Sequence, residues 1–173
     1  MARALIVGCG CRGRLLGTRL LEQGWAVRGT SREERGLEPI GAAGIEPALA
    51  DPGRPATVLE LVGDVTVVHW LLGSVQGERE AVLALHGSAL ECLLERLVET
   101  PVRGFVYEAA GSVEPADLRR GEASVRAAAE RWRIPAAAPA ADPSAHIAWA
   151  GEMLRTTLAL TADGPRNGDM GRF

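Results

Sequence analysis

The sequence predicts an α/β protein: a doubly wound parallel sheet of about six strands in a single domain, with helices on both faces. Three observations carry that expectation. Strand-like runs such as Ala4-Leu5-Ile6-Val7 and Val65-Thr66-Val67-Val68-His69-Trp70-Leu71 are short and almost wholly apolar, as strands buried on both faces are. Segments with apolar residues at helical spacing alternate with them. The first strand runs straight into a glycine-rich turn that opens a helix.

In order, residues 4–7 form the first strand. Leu15, Leu16, Leu20 and Leu21 follow at helical spacing, with Gly24 as a stop. Residues 25–29 form a second strand. Residues 33–43 are weakly helical because Gly36, Pro39 and Gly41 interrupt them. Residues 45–50 form a third strand, closed by Asp51-Pro52, and 55–62 a short helix. The β-branched run 65–71 is the strongest strand and stops at Gly73. Residues 78–99 read as the longest helix, with Val82, Leu90, Leu93, Leu94 and Leu97 near one face. A fifth strand at 102–107, a helix at 117–132 and a weak sixth strand at 134–138 come next. The last helix spans 145–160, with Ser144 as its N-cap. The domain is expected over residues 1–162, and the polar, Gly-rich residues 163–173 are expected to form a flexible tail.

Composition narrows the function classes. With 173 residues, 47% hydrophobic and 24% charged, the chain is ordinary for one folded domain. A net charge of −3 gives no basic excess, so nucleic acid is not an expected partner. No apolar run approaches the length of a membrane span, and the first one, Ala4 to Val7, is too short for the core of a signal peptide. Cys9, Cys11 and Cys92 are expected to stay reduced in a cytoplasmic protein, and Cys9-x-Cys11 without further ligands nearby is no metal site.

The main chemical signal is Gly8-x-Gly10-x-x-Gly13, placed between a strand and a helix as in a dinucleotide-binding Rossmann turn. Gly8 allows the tight turn, Gly10 lets backbone approach a pyrophosphate, and Gly13 lets the helix pack close to the sheet. The amides of the helix start, with those of Cys11 and Arg12, then face the phosphates. NAD-binding turns place an acid roughly twenty residues on, at the end of the second strand. Here that place reads Gly29-Thr30-Ser31-Arg32. Two hydroxyls and a guanidinium suit a 2′-phosphate, and Arg12 is a further candidate to reach it, so NADP is favoured over NAD. Cys9 and Cys11, flanking Gly10 at the start of the first helix, are either redox-sensitive thiols or small residues the loop tolerates.

The stretches Ala4-Leu-Ile-Val-Gly-Cys-Gly-Cys-Arg-Gly-Arg, Leu49-Ala-Asp-Pro, Val67-Val-His-Trp-Leu-Leu-Gly-Ser and Phe105-Val-Tyr-Glu-Ala-Ala-Gly-Ser-Val, in this order and spacing, resemble the short-chain dehydrogenase/reductase superfamily in its extended or atypical branch, which includes nucleotide-sugar epimerases. The resemblance covers about residues 3–140. It implies that Asp51 bonds the adenine amino group and that Leu71, Leu72 and Gly73 pass under the adenosine ribose. It also implies that Glu108, Ala109 and Ala110 lie beside the nicotinamide ribose, and that a homodimer pairs helices 78–99 and 117–132 with their copies.

The family's acid–base pair is a Tyr with a Lys four residues later. This chain has no lysine, its one tyrosine, Tyr107, lies inside a strand, and the family's serine position reads Ala110. The expected function is therefore NADP binding without the standard chemistry, in a sensor, regulatory subunit or degenerate relative. The alternative is an NADPH-dependent reductase of a small substrate in which solvent or Glu108 supplies the proton, with Glu108 and Ser112 as candidate catalytic groups. His69 and His86 read as packed or surface residues, and Trp149 as core or as a side chain that closes a pocket or a partner surface.

Overall fold

A computed structural model describes residues 1–162; the expected tail lies outside the described residues. The described residues form six strands and seven α-helices, in the order β1 (Arg3–Val7), α1 (Cys11–Glu22), β2 (Ala26–Ser31), α2 (Leu37–Ala42), β3 (Glu46–Leu49), α3 (Pro55–Leu59), β4 (Val67–Trp70), α4 (Arg79–Leu85), α5 (Ser88–Leu97), β5 (Gly104–Tyr107), α6 (Pro115–Trp132), β6 (Ala136–Ala137) and α7 (His146–Ala162). A 3₁₀ turn, Glu34–Gly36, precedes α2. The strand order is β3-β2-β1-β4-β5-β6 and every pairing is parallel. The chain winds outward from β1 in one direction and resumes at β4 in the other. This leaves a crevice at the carboxyl ends of β1 and β4, where open parallel sheets bind ligands.

Period-two alternation divides the sheet residues between two cores. Leu5, Val7, Val68, Trp70, Phe105 and Tyr107 pack on one face with Leu90, Leu93, Leu94 and Leu97 of α5 and Val125 of α6. Ala4, Ile6, Val67 and Val106 pack on the other with Leu16 and Leu20 of α1 and Trp149, Ala150 and Met153 of α7. Each Leu or Phe so enclosed stabilises the fold by roughly 1.5–3 kcal/mol. The exposed edge is held differently. Arg3 and Arg28 both pair with Glu46 of β3 and with Asp64, at 2.5–2.9 Å.

Three local expectations need correction. The helix expected over 78–99 is two helices, broken at His86-Gly87. There the His86 ring turns inward: its Nε2–H donates to the Leu72 carbonyl (3.2 Å) and its Nδ1 meets the Tyr107 hydroxyl (2.7 Å). That inward pull, with a glycine beside it, outweighs helix continuity. Ser144 does not cap α7, because its hydroxyl donates to the Asp142 carboxylate (2.8 and 2.9 Å). The first helical bond instead joins the Trp149 N–H to the Ala145 carbonyl (2.8 Å). The helix expected from 117 starts at Pro115, whose missing N–H costs nothing in a first turn.

Candidate functional site

The crevice between β1 and β4 holds a cleft of about 400 Å³. Its floor is the turn Gly8–Arg14, and its walls come from Thr30–Arg32 and Gly36 on one side and Leu71, Leu72, Ser74, Val75 and Leu85 on the other. Ala50, Pro52 and Trp149 complete it.

The glycines of the turn have different reasons to be glycine. Gly8 has φ +82°, and a Cβ there would lie 2.6 Å from the Leu71 carbonyl oxygen, so β1's exit and β4's exit touch through it. A Cβ on Gly13 would press on the Gly8 oxygen (3.1 Å) and Ile6 Cγ2 (3.2 Å), which lets α1 lie close on the sheet. Gly10 has neither constraint. Its φ is −78°, and a Cβ there would meet nothing within 4 Å. It would project into open space at the mouth of α1.

That mouth is rich in donors. No side chain caps α1, and no acidic residue stands in its first turn. The first helical bond runs from the Arg14 N–H to the Gly10 oxygen (2.9 Å), so the amides of Cys11, Arg12 and Gly13 lack intrahelical acceptors. Free amides at a helix start suit an anion.

On the β2 side, Thr30 is 2% exposed and lines the cleft, and its Oγ1 has no hydrogen-bond partner. Ser31 lines the cleft too, but its hydroxyl is engaged by its own loop: it donates to the Glu33 carbonyl (2.8 Å) and accepts the Glu33 N–H (3.1 Å). Arg32 lines the cleft and is in no ion pair among the described residues. Glu33 is held instead by Arg35. Asp51 is not in the lining, although its neighbours Ala50 and Pro52 are. It builds the entry to α3: its N–H donates to Thr57 Oγ1 and its carboxylate accepts the Gly53 N–H, both at 2.9 Å.

The β5 side is arranged differently. Glu108 is fully buried, with Oε1 on Arg12 Nη2 (3.1 Å) and Oε2 accepting the Gly73 N–H (2.9 Å). Burial pushes its carboxyl above the ordinary carboxylate range, while the Arg12 charge and the Gly73 amide work against that shift. The Arg12 guanidinium also lies 5.4 Å from the Trp149 ring centre. The indole N–H of Trp149 faces the same carboxylate but stands outside hydrogen-bonding geometry. Arg12, considered for a 2′-phosphate, is thus engaged by Glu108. The sequence showed both residues but not their pairing, which joins positions 96 apart in the chain.

Gly73, Glu108, Ala109, Ala110 and Ser112 do not line the cleft. Gly73 meets Glu108 and Ala110, since a Cβ on it would collide with the Ala110 carbonyl and lie 3.0 Å from Glu108 Oε2, and the Ala109 N–H donates to the Pro139 oxygen (3.1 Å). Ser112 sits at the surface, its N–H on Ser74 Oγ (3.3 Å).

The other titratable candidates are packed away. His69 is fully buried. Its Nε2–H donates to Thr157 Oγ1 (2.8 Å), whose own proton goes to the Met153 carbonyl (2.7 Å), and burial lowers the ring's pKa to about 4. Burial also lowers that of His86 and raises that of Tyr107. The Cys9 thiol, against Gly29, is pushed up to about 12 by burial, so it is an inert packing group, whereas Cys11 is exposed in the cleft floor. No helix of the described residues is long and apolar enough to cross a membrane.

No protein-family model matches the sequence, and no curated protein matches it either. Solved structures do. UDP-glucuronic acid 4-epimerase from Bacillus cereus, in complex with NAD, is 16% identical, with a TM-score of 0.62 over 78% of this chain and 54% of that one. A short-chain dehydrogenase from Streptomyces avermitilis is 17% identical, with a TM-score of 0.61 over 96% of this chain and 85% of that one. The chain thus has the Rossmann fold of epimerase and short-chain dehydrogenase structures and spans about half the length of the epimerase.

Proposed function

We propose that this protein binds an adenine dinucleotide, NADP in preference to NAD, at the carboxyl ends of β1, β2 and β4, and that it works without the Tyr–Lys chemistry of the family it resembles. The observation that carries the reading is Gly10. Neither its backbone angle nor its neighbours require a glycine, and the space a Cβ would take lies before three free amides. The turn is shaped for something outside the protein, and a diphosphate has the size and charge for it. The unpartnered Thr30 hydroxyl and the free Arg32 fit a ribose 2′-phosphate beside it.

When bound, the cofactor's nicotinamide would supply hydride exchange. The chain's own residues lend that chemistry little help. Tyr107 is buried against His86 and the Leu118 carbonyl, so it cannot reach a substrate. Both oxygens of Glu108 are already committed, which speaks against a reductase that uses it as proton donor. A role in sensing or regulation therefore fits better than turnover.

Calorimetric titration with NADP and NAD tests the reading. Arg32→Ala should weaken NADP binding about tenfold, the value of one charge-assisted contact, and leave NAD unchanged. Equal losses for both cofactors would remove the basis for the NADP preference.

A further inference from the structure

The cleft is lopsided. A dinucleotide whose adenosine ribose lies at the end of β2 and whose diphosphate lies on the α1 amides must extend its other half over the ends of β4 and β5. Yet the lining takes in the β4 exit, through Leu71, Leu72, Ser74 and Val75, and no residue of the β5 exit, with Arg12 and Trp149 standing in its place. The ground beyond is built over. The Arg12 guanidinium, the Glu108 carboxylate and the Gly73 amide form one bonded chain, with Trp149 beside it. The exits of β4 and β5 are tied to each other there, the Val113 N–H donating to the Gly73 oxygen (3.0 Å).

We propose that this crevice is a site for the adenosine diphosphate-ribose half of a dinucleotide, with or without its 2′-phosphate, and that Arg12, Glu108 and Trp149 fill the place a nicotinamide ring would need. The proposal rests on the nucleotide reading above and narrows its ligand. To admit the ring, Arg12 would have to leave Glu108, and a carboxylate in a fully buried position would lose its cation. The ring of a bound dinucleotide therefore stays in solvent and adds no affinity. A protein of this kind responds to the adenosine end of the molecule and is indifferent to the oxidation state of the other end.

Matched titrations of the full chain test this: ADP-ribose against NAD, and 2′-phospho-ADP-ribose against NADP. The expected result is that each half binds within about tenfold of its dinucleotide, a difference under about 1.4 kcal/mol, and that the nicotinamide emission of NADPH is unchanged on binding. A dinucleotide advantage of tenfold or more, or an enhanced and blue-shifted NADPH emission, overturns the proposal and leaves nucleotide binding standing. Binding of none of the four ligands overturns both.

Discussion

Replacing Gly10 with valine separates a ligand-shaped glycine from a fold-shaped one. The new side chain points into the mouth of α1, where no protein atom stands within 4 Å, so packing is undisturbed. It would hold a diphosphate away from the amides of Cys11, Arg12 and Gly13. A hydrogen bond to a charged group contributes about 1.5–3 kcal/mol, so losing two of the three costs about 3–6 kcal/mol, or roughly a hundredfold to ten-thousandfold in affinity. The stability cost is far smaller. A β-branched residue at an N-cap costs on the order of 1 kcal/mol, a drop of about 2–4 °C in Tm for a chain of this size. Calorimetry gives the first quantity and a thermal melt in the absence of ligand gives the second. Unchanged affinity would refute the reasoning. So would a melting point lower by about 10 °C or more, since Gly10 would then be serving the fold.

Gly8→Ala should do the reverse: a positive φ and a carbonyl 2.6 Å from the new Cβ should destabilise the protein by about 2 kcal/mol or more, read as a Tm drop of roughly 5 °C or more. Acid should unfold the chain partly through His69. Its folded pKa of about 4 lies below the unfolded 6.5, so the stability it confers is complete above pH 6.5 and is lost as pH falls toward 4. At 1.36 kcal/mol per unit that loss is about 3 kcal/mol, and urea unfolding at pH 7, 5 and 4 should show it in the wild type but not in His69→Leu.

The fold was legible because it is carried by local signals. Apolar runs, helical spacing and the turn from Val7 to Gly13 each act over a few residues, and all six strands lie where those signals put them. The misread places are those where a distant partner decides. The break at His86 depends on Leu72 and Tyr107, and the start of α7 depends on Asp142 taking Ser144. A Gly-Ser pair in mid-helix, residues 87 and 88, was the available sign of the first. The same holds for the site. Gly8–Gly13, Thr30–Arg32, Leu71 and Leu72 were readable as motif and all line the cleft, whereas Asp51, Gly73, Ala109 and Ala110, which the resemblance implied, do not. The Arg12–Glu108–Trp149 group joins α1, β5 and α7, and no spacing rule links those three positions.

The two walls of the cleft are not equally adaptable. Leu72 and Leu85 hang on interior anchors, the Leu72 carbonyl on His86 and the Leu85 carbonyl on the Trp70 indole (3.0 Å). The opposite wall starts on β2 with the buried Thr30 and continues into a surface turn tied mainly to itself, Ser31 to Glu33 and Glu33 to Arg35. Any retuning of what this crevice accepts, by selection or by engineering, therefore has one inexpensive place to act. It is Arg32, which lines the cleft with no ion pair among the described residues, where a new side chain changes the guest without disturbing the house.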